Sequence, residues 1–103
     1  MMDSKTADYC ALAFHALSDP HRVKVIECLR SGTKNVTQLS RLLDAELVNV
    51  SHHLGVLRDC NVVLAVKKGR FVNYSLNPEY FRPEPDNTTV MELGWARVVF
   101  PHS

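Results

Sequence analysis

No stretch of this chain is apolar for anything near the roughly 20 residues that cross a bilayer. Its opening, MMDSKTADYC, also lacks the apolar core of a secretory signal. From these two absences no membrane partner is expected, and the cytoplasm is the expected location. Cysteine is sparse: Cys10, Cys28 and Cys60 lie far apart, with no CxxC or CxC pair. Such a set argues against a disulfide framework and against a structural thiolate zinc site. The four glycines form no phosphate-cradling loop. No nucleophile–base pair or supported carboxylate pair stands out, so an enzyme is not expected. At 103 residues the chain makes one folding unit with a modest core, which pairing with a second copy would help to stabilise.

A dominant charge is missing too, since the net charge is only +1. The distribution is more informative than the total. Residues 1–50 balance, whereas residues 51–75 carry Arg58, Lys67, Lys68 and Arg70 against Asp59 alone. Residues 76–103 turn acidic, with Glu79, Glu84, Asp86 and Glu92 against Arg82 and Arg97. A local basic patch marks where an electrostatic partner is to be sought.

Helical spacing comes first. Ala7, Cys10, Ala11, Phe14 and Leu17 share a face, but Leu12, Ala13 and Ala16 widen the apolar stripe. This helix is either buried outright or meets another chain with its second face. Ser18 or Asp19 caps the next helix, and Pro20 suits its first position, where no N–H is needed. Val25, Ile26 and Leu29 form its inner face, with Gly32 at its end. Thr37 reads as the cap of a short helix holding Leu39, Leu42 and Leu43 inward. After a break at Asp44–Glu46 comes VNVSHHLGVLRDCNVV. On a helical wheel Val50, His53, Leu54 and Leu57 point one way, while Val48, Asn49, Ser51 and His52 face away or flank them. Asn61 is a helix stop, because Asn tolerates the left-handed conformation that ends helices.

VVLAVKKGRFVNYSL then reads as a hairpin with a basic tip at Lys67, Lys68 and Arg70. NPEYFRPEPDNTT, with three prolines, reads as an irregular linker. In VMELGWARVVF, Met91, Leu93, Trp95 and Val99 alternate as a strand does, although Thr89 and Glu92 also match a capping box. Gly94 and the Val98–Phe100 ending favour a strand. The fold expected is mainly α with a small β-hairpin: a winged helix-turn-helix followed by an extended C-terminal tail. Residues 1–76 would form the main body and 77–103 a Pro-rich linker and tail, with Trp95 anchoring it to the body or a partner chain.

ALSDPHRVKVIECL, TQLSRLL, VSHHLGVLRDCNVV and KKGRFVNYSL, in this order and spacing, resemble the ArsR-type (arsenic-repressor-like) winged-helix transcription regulators. The resemblance covers about residues 11–76. It implies a homodimeric repressor that binds a double-stranded DNA operator, often released by an inducer, with the first helix in the dimer interface. No inducer can be named from these residues. Many metal-sensing relatives place a Cys pair before the helix-turn-helix, where this chain has Asn35 and Thr37. Others use Asp and His on a C-terminal helix, where this chain has a Pro-rich tail and only His102. Neither set of donors is present, so no metal and no cofactor are expected.

An α-helix fits the major groove, so helix 47–59 would read DNA through Val48, Asn49, Ser51 and His52. Wing 65–75 would grip phosphates through Lys67, Lys68 and Arg70. His53, on the inward arc, is expected to be partly buried and hydrogen-bonded to a neighbouring helix. Cys10 and Cys28 read as small core residues; for Cys60, near a helix end, an exposed, redox-reactive thiol is only the minor alternative. Asp19, His15 and His21 read as capping and surface groups. The alternative function is a winged-helix module for protein–protein contact that has lost specific DNA binding. Leu47 and Val48, apolar where polar base-reading residues are common, are its main support.

Overall fold

The computed structural model of the chain describes residues 3–94 and 96–101. Four helices lead: α1 (Ser4–Leu17), α2 (Pro20–Leu29), α3 (Val36–Leu43) and α4 (Leu47–Asp59). A two-stranded antiparallel sheet follows, β1 (Val63–Lys68) with β2 (Phe71–Leu76). A second antiparallel sheet, in the order β3 (Phe81–Pro83), β4 (Thr89–Glu92) and β5 (Arg97–Phe100), completes the chain.

The helix boundaries follow from local chemistry. Asp3 caps α1 by accepting from the Thr6 amide at 2.8 Å. Of the two candidates for the α2 cap, Asp19 takes the role, accepting from the His21 amide at 2.7 Å, with Pro20 beginning the helix. Thr37, expected to cap α3, lies inside that helix. Asn35 caps it instead, in a capping box where the Asn35 side chain accepts from the Gln38 amide at 2.9 Å and Gln38 Oε1 accepts from the Asn35 amide at 2.8 Å. A reciprocal pair satisfies two free amides, which one Thr hydroxyl does not. Gly32 falls beyond the α2 C-cap, Arg30, and holds a φ of 133° in the loop to α3. Asp44 ends α3 at a φ of 48°, and Asn61 follows α4 at 62°. The expected helix stop at Asn61 is therefore seen, reinforced by the Val62 amide donating to Leu57 O at 3.0 Å.

The core gathers Ala13 and Ala16 from α1, Val25 and Ile26 from α2, Leu39 from α3, and Leu54 and Leu57 from α4, all fully buried. Arg22, a residue with no sequence signal, locks the α1–α2 corner. Its guanidinium is buried and donates to Ala16 O at 3.0 Å, His15 O at 3.0 Å and Ser18 Oγ at 3.2 Å. Both carbonyls lie in the last turn of α1, where helical amides run out, and His15 O also accepts from the Ser18 amide and hydroxyl.

In the hairpin, Lys68 pairs with Phe71 across Gly69 and Arg70. Gly69 has a φ of 60° at the first central position, where a tight II′ turn requires it. Lys34 and Tyr74 exchange backbone hydrogen bonds of 3.0 and 2.8 Å, fastening the α2–α3 loop to this wing.

The tail is more ordered than its prolines suggest. Within the stretch expected to be an irregular linker, Phe81–Pro83 forms β3, and Tyr80 and Phe81 are buried. Proline is tolerated here because β3 lies at a sheet edge. The expected final strand exists as two, β4 and β5, joined through Gly94 at a φ of 91°. The Thr89–Glu92 capping box does not form, since both residues belong to β4. Tyr80 stacks on Tyr9 of α1 with ring centroids 4.2 Å apart, and Cys10 Sγ donates to Leu93 O at 2.9 Å. Arg30 binds the other side of the tail, donating to Thr89 Oγ1, Asn87 O and Pro101 O at 2.8–3.0 Å. Part of the wide apolar stripe of α1 is thus covered by the chain's own tail. Trp95 and His102 lie outside the described residues.

Candidate nucleic-acid interface

Helix α4 is held from one side only. Val50, Leu54 and Leu57 are buried, whereas Val48, Asn49, Ser51 and His52 are exposed on the opposite arc. Glu46 begins the helix without a side-chain cap bond, leaving amides at the α4 N-terminus open to an outside acceptor. The three-residue turn Asp44–Glu46 sets α4 against α3, fixed by the Ala45 amide donating to Ser40 O at 3.0 Å and by Ser40 Oγ donating to Ala45 O. This turn makes α3 and α4 a helix-turn-helix, with α4 as the outer member.

Lys67, Lys68 and Arg70 sit exposed at the tip of the wing. Among the described residues none of the three is in an ion pair. Arg70 does lie over the Phe71 ring, 5.7 Å from its centroid, a contact that positions the guanidinium without neutralising it. Arg58, by contrast, approaches Asp59 at 3.7 Å in an exposed pair. The polar face of α4 and the basic wing come from adjacent segments, joined only by the Asn61 turn.

His53 is turned inward and half-buried as expected, but its enclosed Nδ1 makes no hydrogen bond to a neighbouring helix. Its ring instead stacks on His21, with centroids 5.5 Å apart and planes 6° from parallel. Desolvation pushes the His53 pKa down; Asp19 opposes this, and the charges of Arg22, His21 and His52 reinforce it. Desolvation acts to raise the Asp19 pKa, yet it lies below the usual carboxylate value because the amides of His21 and Arg22, the charge of His53 and the His21 side chain outweigh it. One ligating atom from each of Asp19, His21 and His53 lies within 4.8 Å of the others. Sequence reasoning missed this grouping because His53 is more than thirty positions from the other two. Cys10 and Cys60 are buried and Cys28 partly so, and burial raises the thiol pKa of Cys28 and of Cys60. The minor alternative of an exposed, reactive Cys60 is therefore not met.

A helix-turn-helix followed by a β-wing makes this chain a winged helix-turn-helix protein. Residues 19–64 match the profile of the family described as "Bacterial regulatory protein, arsR family", and the chain belongs to that family of transcription regulators. It is 34% identical over 64 residues to the transcriptional repressor SdpR of Bacillus subtilis, covering 62% of this chain and 71% of that one. It is 37% identical over 75 residues to the HTH-type transcriptional regulator NmtR of Mycobacterium tuberculosis, covering 73% of this chain and 62% of that one. Among solved structures, the homodimeric winged helix-turn-helix DNA-binding domain of a possible ArsR-family regulator from Mycobacterium bovis superposes with a TM-score of 0.68 at 25% identity. That match covers 77% of this chain and 75% of the other. HlyU from Vibrio cholerae gives a TM-score of 0.67 at 25% identity, covering 74% and 82%. No helix among the described residues is long and apolar enough to cross a membrane.

Proposed function

We propose that the chain is a homodimeric, sequence-specific DNA-binding repressor. Val48, Asn49, Ser51 and His52 approach base edges in the major groove, and Lys67, Lys68 and Arg70 meet the flanking phosphates. The observation that carries this reading is an exposed polar arc on α4 beside three wing cations that pair with no carboxylate among the described residues. Val48, 70% exposed, suits contact with a thymine methyl group. The repressor role draws on the Bacillus relative's name. Residues 1–76 carry DNA binding and dimerisation, and 77–103 form a tail braced on the body by Arg30 and Tyr80.

The direct test is titration of random duplex DNA across several salt concentrations. Binding at low salt, with log affinity falling linearly against log salt, is the expected result. Absence of binding at low salt would sink this reading. The exposed Leu47 and Val48 would then serve the protein-contact function instead.

Dimerisation makes a second prediction, and here the structure redirects the mutagenesis. Ala13 and Ala16 are fully buried within their own chain, so a charge at either position tests folding rather than assembly. Leu12 and Phe14 are 39% and 45% exposed on α1, and the Mycobacterium bovis relative is homodimeric. Sedimentation should show a dimer at micromolar concentration. Leu12→Glu should shift it towards monomer with the helical circular-dichroism signal retained. A wild-type monomer under these conditions refutes the dimer.

A further inference from the structure

Where α4 passes the beginning of α2, three metal-ligating side chains converge. Asp19 Oδ1 lies 3.3 Å from His21 Nδ1, and the His21 and His53 rings face each other at 5.5 Å. A ligating atom of each residue lies within 4.8 Å of the other two. The enclosed, unpartnered Nδ1 of His53 is an independent sign. A buried ring nitrogen normally has a partner, and one without calls for an explanation. A cleft of about 410 Å³ opens onto His21 and His53, with Asp44 and Glu46 also on its walls.

We propose that Asp19, His21 and His53 bind a divalent first-row transition-metal ion of the zinc, nickel or cobalt kind, tying the start of α2 to α4. Two imidazoles and a carboxylate are the borderline donors these ions take. Ligand bonds of about 2.0–2.2 Å ask the three groups to close slightly, which the exposed His21 side chain can do by rotating. Asp19 already caps α2 through Oδ1, so its carboxylate would serve the cap and the ion together. The remaining coordination position falls to water or to a carboxylate of the cleft. Positive charge opposes the site: Lys24 also lines the cleft, and Arg22 is close enough to lower the His53 pKa. Arg22, however, has its guanidinium committed to three oxygens of the α1–α2 corner, and Asp44 and Glu46 bring two carboxylates to the cleft that His21 and His53 line. The absence of the thiolate positions leaves this site untouched, because it uses no cysteine and is assembled only by the packing of α2 against α4.

The test is titration of the tag-free, metal-free full chain with cobalt(II), followed by displacement with zinc(II). One cobalt per chain should bind with visible ligand-field bands and without a thiolate charge-transfer band. Zinc should displace it and raise the melting temperature in step with its concentration. His21→Ala removes an exposed ligand, and Asp19→Asn keeps a competent helix cap while removing the anionic donor. Loss of an outer-sphere partner alone costs about 10–100-fold in metal affinity, so each variant should bind at least about tenfold more weakly. The His21→Ala chain without metal should melt close to wild type. The site is refuted by any of three results: no cobalt band, equal affinity in wild type and both variants, or a thiolate band placing the ion on cysteine.

Discussion

Replacing Leu54 by alanine should lower the unfolding free energy by about 2–5 kcal/mol, the range for deleting a fully buried Leu side chain. Leu54 has no exposed surface and sits midway along α4, one turn from Val50 and Leu57 on the same buried face. That face rests on the core that Val25, Ile26 and Leu39 also fill. The cost combines reduced apolar burial with the cavity left behind, and a small domain offers little spare stability against it. The change should appear in urea unfolding as a lower midpoint with an unchanged slope. Protein concentration must be held fixed, because a dimer's apparent stability depends on it. A decrease below about 1 kcal/mol would mean that the helices close around the gap and that α4 is less rigidly seated than its burial implies. DNA binding in this variant should weaken through reduced folding, equally on every sequence.

The same helix shows why some features were legible in the sequence and others were not. Residues 47–59 form α4 with the anticipated limits, since its start, its apolar face and the left-handed Asn61 are all encoded within a few positions. The wing was legible for the same reason: Gly69 supplies the turn and β-branched residues flank it. The α3 cap was misplaced by two residues because Thr37 and Asn35 are both good caps. The choice between them fell to Gln38, which completes the box only with Asn35. Long-range features left no local signal at all. Nothing in RPEPDNTTVMEL announces that Arg30 will bind Thr89 Oγ1, Asn87 O and Pro101 O, or that Tyr80 will stack on Tyr9. The prolines suggested irregular chain, yet they coexist with an edge strand, and Arg30, the α2 C-cap, satisfies the nearby oxygens. His53 was correctly turned inward by its helical phase, but its neighbour His21 could be identified only from the packing of α2 against α4.

On the proposed DNA-binding reading, the exposed positions divide into groups that read sequence and groups that grip the backbone, and the division can be measured. Asn49 and His52 lie exposed on α4, where side chains meet base edges when the helix enters the major groove. Replacing either by alanine should weaken binding to the preferred site by about 1–3 kcal/mol, the worth of a well-formed side-chain–base pairing. It should cost little on scrambled duplex, where no specific pairing exists to remove. Neither side chain is buried, so stability should change by no more than about 0.5 kcal/mol. Arg70→Ala should act differently. The Arg70 guanidinium lies over the Phe71 ring at the wing tip and pairs with no carboxylate among the described residues. On the proposed reading its removal should therefore subtract a phosphate interaction that every sequence offers. Affinity should fall on both duplexes, and the log–log salt slope should flatten by roughly 0.9 per phosphate released, about twice that for a symmetric dimer. Fluorescence titrations of wild type and the three variants, on selected and scrambled duplexes at several salt concentrations, give both readouts. Equal weakening on every sequence for His52→Ala and Arg70→Ala would abolish the distinction, leaving α4 to bind backbone alone. A selective effect for Asn49→Ala and His52→Ala, beside a uniform effect for Arg70→Ala, would place sequence recognition on the helix and affinity on the wing.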